Sequence, residues 1–80
     1  MLIPISPTTF EYNGELIDIN QLKYEYRQVG RHIHKIVAAL TALHIVSIEL
    51  SQGLKVDESY IDKQLGRLHA IRTENKRMCS

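Results

Sequence analysis

Apolar side chains recur along the middle of the chain at alternating spacings of three and four. They run through Leu22, Tyr26, Val29, Ile33, Ile36, Leu40, Leu43, Leu50 and Leu54, and Ser47 is the single interruption. Such spacing draws one seam along an α-helix that packs at a shallow angle on another helix. It predicts a long helix over residues ~21–52, with Asp18 or Asn20 as N-cap and Gly53 just past its end. After the short link Leu54-Lys55-Val56, Asp57 is a second N-cap. Ile61, Leu65, Leu68 and Ile71 then form the apolar face of a shorter helix over ~58–75. A link this short returns the second helix antiparallel to the first.

Pro4 and Pro7 exclude a helix from the start of the chain. Two β-prone runs, Thr8 to Tyr12 and Glu15 to Ile19, flank Asn13-Gly14. Asn-Gly suits a type I′ turn, in which both central residues need positive φ, so a β-hairpin is expected; the alternative is an irregular arm that turns at the same place. The predicted architecture is mainly α, one domain with an N-terminal hairpin or arm over ~1–20, an antiparallel two-helix hairpin over ~21–75 and a tail over ~76–80.

Helix lengths add an expectation about assembly. At about 1.5 Å per residue the long helix spans ~48 Å and the short one ~27 Å, so half of the long seam lacks a helical neighbour within the chain. Between Ile36 and Leu50 the helix is also apolar nearly all round, because Val37, Ala38, Ala39, Ala42, Ile45, Val46 and Ile48 supplement the seam. A two-helix hairpin needs only one apolar stripe. The surplus points to a homodimer forming a four-helix bundle, with Val37, Leu40, Ile45 and Ile48 at its interface. A monomer whose N-terminal hairpin covers the surplus, or a different protein partner, are the alternatives.

Charge changes this picture little. The net charge is +1, which favours neither nucleic acid nor an acidic surface. One pattern stands out: Lys23, Arg27, Arg31 and Lys35 recur every four residues beside the seam, while Glu11, Glu15 and Asp18 make the first twenty residues acidic. The basic stripe is a solvated helix face, a dock for the acidic arm, or a surface for phosphates or an acidic protein. Tyr24, Tyr26, Arg27 and Arg31, flanked by Lys23 and Lys35, are the candidate partner-binding residues, since tyrosine and arginine combine contact area with directional polar groups.

Catalytic chemistry is not expected. The carboxylates are scattered, and neither a phosphate-binding glycine loop nor a nucleophile motif occurs. His32 and His34, two apart on a helix, cannot share a metal, and nothing with ligand spacing accompanies His44 and His69; no metal or cofactor is expected. Lone Cys79 reads as a free thiol near the chain end and fits a reducing compartment. The apolar run from Ile36 to Leu50 is shorter than the ~18 residues of a membrane span and reads as a buried helix, so a cytoplasmic location without a membrane is expected. The leading expectation is a small non-enzymatic regulator, adaptor or inhibitor acting through a helical, homodimeric surface. A nucleic-acid-binding regulator using the basic stripe, or a structural subunit of a larger assembly, are the alternatives.

Overall fold

Three antiparallel strands precede three helices in the computed structural model, which describes residues 1–79, with side chains described through residue 74. The strands are β1 (Leu2–Ser6), β2 (Thr9–Tyr12) and β3 (Glu15–Asp18), in the order β1-β2-β3. The helices are α1 (Ile19–Arg27), α2 (Ile33–Ser51) and α3 (Glu58–Cys79). This is a small α+β fold, and it overturns the expected two-helix hairpin with a simple arm, together with the four-helix bundle built from it.

The first correction lies in the sheet. Asn13 and Gly14 do turn the chain with φ of 51° and 82°, and Phe10 pairs with Ile17 across the turn. That hairpin is only two-thirds of the sheet. The segment that begins the chain adds β1, with Leu2 opposite Tyr12 and Pro4 opposite Phe10. Pro4 excludes a helix here but not an edge strand, which tolerates a residue with no N–H to donate. The register shifts between Pro4 and Ser6, so the edge is irregular as well as interrupted by proline. Phe10, Tyr12 and Ile17 share the inner face and are buried.

The second correction is in the long helix, which is broken over residues 28–32. Asp18 caps α1, its Oδ1 accepting from the backbone N–H of Asn20 at 3.0 Å and of Gln21 at 3.3 Å. Gly30 lies inside the break, but the reversal is made at His32, which is left-handed at φ 56°. Such a conformation costs about 1–2 kcal/mol for a residue with a side chain. Against this stands the burial of Tyr26 and Val29, each 8 % exposed or less. Full burial of a large apolar side chain is worth about 1.5–3 kcal/mol, so the break wins over a straight rod that leaves both wet.

Gly53, φ 80°, ends α2: its N–H donates to the Leu50 carbonyl, and the Leu54 N–H reaches back to Glu49 at 3.0 Å. This paired closure satisfies the last carbonyls of the helix. Asp57 then caps α3, accepting from the Ser59 N–H at 2.9 Å and the Ser59 hydroxyl at 2.8 Å, and these two bonds hold its carboxyl below the usual range. α3 runs to Cys79, past the expected end near residue 75. The expectation of a free thiol at Cys79 lies outside the described side chains.

α3 returns along α2, as the contact of His32 with Glu74 shows. On this helical pair lies a second layer made of two parts. The sheet covers the end near the α2–α3 link, where the Tyr12 hydroxyl donates to Asp62 Oδ1 at 2.7 Å. α1 covers the other end, where the Tyr26 hydroxyl donates to the Leu68 carbonyl at 2.8 Å. Phe10, Ile19, Leu43, Val46, Ile61 and Leu68 form the centre between the layers. Two polar residues share it: Ser47 and Gln64 are buried, and Ser47 Oγ and Gln64 Oε1 have no hydrogen-bond partner among the described residues.

Two outcomes follow from this core. Replacing Ser47 by Ala removes a buried hydroxyl that is not paired, and is expected to raise stability by about 1 kcal/mol in urea unfolding. The Tyr12 phenol is pushed up to about 12 from its ordinary 10.0, chiefly by its hydrogen bond to Asp62 and then by burial. The folded state therefore favours the neutral phenol, and this contribution is complete below pH 10 and lost as pH rises towards 12. A Tyr12→Phe variant is expected to show a shallower loss of melting temperature over that range than the wild type.

Candidate interaction surfaces

α2 decides what surface is left for function. Its buried residues (Ile36, Ala39, Leu40, Leu43, Val46, Ser47 and Leu50) occupy one face, set by the 3.6-residue period. Ile33, Val37, Thr41, Ile45 and Ile48 fall within an arc of about 120° on another side. There Ile33 is 62 % exposed, Val37 56 %, Ile45 50 % and Ile48 36 %. Molecular shape explains why they stay wet. The body measures 42 × 18 × 18 Å, and an 18 Å cross-section holds only two layers of elements. With α3, α1 and the sheet on the covered sides, α2 keeps one apolar flank in solvent.

Of the four expected dimer residues, Val37, Ile45 and Ile48 lie on this flank, whereas Leu40 belongs to the core at 6 % exposure. Ile33 extends the flank one turn towards the break and escaped the sequence-based set. Its spacing of four before Val37 was the available signal, but the residue was assigned to the seam. Among the described residues α2 is the helix long and apolar enough to cross a membrane by length and composition. A core helix passes the same test, and the two apolar faces, one buried and one wet, account for its composition.

Beside this flank, α1 and the first half of α2 enclose a groove of about 750 Å³. Its floor and walls include Val29, Ile33, Ile36, Val37 and Leu40, and its α1 rim carries Asn20, Lys23, Tyr24 and Arg27. Tyr24 is 67 % exposed and stands at the opening. The helical break creates the groove, because a continuous rod would carry α1 away from α2 instead of setting it alongside.

The candidate partner residues are thus divided. Lys23, Tyr24 and Arg27 meet at one rim. Tyr26 lines the same groove from behind but is buried, with its hydroxyl engaged by α3. Arg31 is exposed within the break. Lys35 faces a different hollow, of about 550 Å³ between α2 and α3, with His34, Arg67 and Glu74. The basic stripe is therefore not continuous in space. Nor do the acidic residues of the first segment dock on it: Asp18 caps α1, Glu11 sits opposite Leu16 on the outer face of the sheet, and Glu15 borders a hollow between β3, α1 and α3.

Among the described residues, a His–Glu contact and an Arg–Glu ion pair lie across the open end of the molecule. His32 Nε2 is 3.2 Å from Glu74 Oε2, and Arg72 Nη1 is 3.8 Å from Glu25 Oε2. Both are exposed enough that screening limits their worth. They locate the α1–α2 junction against α3 rather than hold it. Among the described residues no group of three or more His, Cys, Asp or Glu could hold a metal ion. Comparison with protein-family models, with curated proteins and with solved structures finds no match.

Removing the Tyr26 hydroxyl tests what fixes the back wall of the groove. Tyr26→Phe keeps the ring and loses the buried bond to Leu68. A loss of about 1 kcal/mol is expected in chemical unfolding.

Proposed function

We propose that the chain is a small non-enzymatic interaction module that self-associates through the exposed flank of α2 and holds a protein partner in the α1–α2 groove. The observation that carries this reading is the exposure of Ile33, Val37, Ile45 and Ile48 on one helix face. Leaving each of them wet forfeits part of the roughly 1.5–3 kcal/mol that full burial of such a side chain supplies. Exposed apolar side chains gathered on one face in this way are a mark of interaction sites.

An antiparallel pairing of two α2 helices about a two-fold axis near Thr41 sets Val37 of one copy opposite Ile45 of the other. The same patch then serves both copies, as a closed dimer requires. The flank from Ile33 to Ile48 is about 22 Å long and one helix face wide, which falls short of the ~800 Å² per partner of tight complexes. A dimer of micromolar strength is the expectation. The nucleic-acid reading has less support, because the cations that would track phosphates are split between the groove rim, the break and the α2–α3 hollow.

Sedimentation of the purified chain tests the proposal. Reversible dimerisation in the micromolar range is expected, and Ile45→Lys together with Ile48→Lys should give a monomer with unchanged helix content. A wild-type chain that stays monomeric at a hundred times that concentration removes the self-association, and a mass far above a dimer replaces it with a larger assembly.

A further inference from the structure

The α1–α2 groove has a composition that specifies more than a generic protein contact. Its floor is aliphatic, its rim carries the two cations Lys23 and Arg27, and among the described residues no Asp or Glu lines it. In volume it exceeds the hollow between α2 and α3 and the one of about 360 Å³ beside β3. Along α2 it extends from Ile33 to Thr41, which is about 12 Å or two helical turns. That length matches the anchors at i, i+4 and i+7 of a helix laid in a groove.

We infer that this groove receives an amphipathic helical segment of an acidic partner protein, its apolar face on the floor and its carboxylates against Lys23 and Arg27. The inference rests on the chain being an interaction module and names the partner class of that same surface. Charge complementarity separates this occupant from the others available. The chain's own carboxylates nearest the start are tied elsewhere: Asp18 caps α1, and Glu11 and Glu15 belong to the sheet. A second copy would present the flank of α2, whose exposed face bears isoleucine, valine and threonine rather than carboxylates. A nucleic-acid strand would use the two cations and leave the aliphatic floor unused.

Tyr24 gives the site its anchor. It is exposed on the same rim, four residues after Asn20 and three before Arg27, and can cover the apolar face of a docked helix while its hydroxyl meets the polar edge.

Fluorescence anisotropy with the full chain and labelled synthetic peptides tests the inference. The probe is a helical peptide of about 15 residues with leucine at i, i+3, i+4 and i+7 and glutamate on its other faces. One control replaces every glutamate by lysine, a second replaces every leucine by serine, and a third probe is a labelled oligonucleotide. The acidic amphipathic peptide is expected to bind at least about tenfold more tightly than either control peptide, and less tightly as salt is raised. The paired variant Lys23→Gln/Arg27→Gln, and separately Tyr24→Ala, should each weaken it about tenfold. These three side chains are exposed, so the melting temperature should be unchanged, and it is measured on the same samples. The inference is overturned if the lysine peptide or the leucine-free peptide binds as well, if neither variant moves the affinity, or if the oligonucleotide binds more tightly than the acidic peptide and depends on Lys23 and Arg27. Sedimentation of the same samples reads self-association separately. The flank and the groove share Ile33 and Val37, so the peptide is also titrated into the monomeric Ile45→Lys/Ile48→Lys variant. No peptide binding to that variant or to the wild-type dimer refutes the groove assignment alone, and a wild-type monomer that takes the peptide refutes the α2–α2 contact alone.

Discussion

The hydrogen bond from the Tyr26 hydroxyl to the Leu68 carbonyl fixes one whole end of the molecule. It crosses from α1 to α3 and can form only if the chain reverses between α1 and α2. That reversal makes His32 adopt a left-handed conformation and interrupts the backbone ladder over residues 28–32. Burial of Tyr26 and Val29 offsets both losses. With α1 set down in this way, the molecule has two layers along its full length, with the sheet over one end of the α2–α3 pair and α1 over the other.

The same constraint produces the exposed flank and the groove. Two layers in an 18 Å cross-section cover α2 on its core face and leave the opposite flank open. Placing α1 beside α2, rather than in line with it, also opens the groove whose rim gathers Lys23, Tyr24 and Arg27. The exposed α2 flank and the α1–α2 groove meet at Ile33 and Val37, so occupation of one would alter the surroundings of the other. Such a meeting point is where a coupling between self-association and partner binding would reside.

Several features were legible in the linear chain because they depend on neighbours a few residues away. Asn13-Gly14 specified its own turn, Asp18 and Asp57 specified helix starts, and Gly53 specified a helix end. The three-four spacing of apolar residues correctly marked Tyr26, Val29, Ile36, Leu40, Leu43 and Leu50 as buried. It failed at Ile33, the first residue of α2, whose period places it on the exposed flank, and at Leu54 in the link, where helical periodicity no longer sets direction; both are exposed. Of the candidate binding residues, Lys23, Tyr24 and Arg27 were recognisable from chemistry alone, but their gathering at one groove was not.

What the sequence determined by itself was local: where turns and caps fall, which stretches are helical, and which residues avoid water. Only the tertiary structure decided whether β1 exists, since an edge strand containing Pro4 is stabilised by β2 and α2 and by nothing within its own five residues. Only the tertiary structure split the apolar stretch at residues 28–32, because a straight and a broken helix share one hydrophobic pattern and differ in what α3 offers to Tyr26. It also decided which apolar side of α2 stays wet. Helical periodicity gives the angle between side chains, and the partners that cover each angle come from elements distant in the chain.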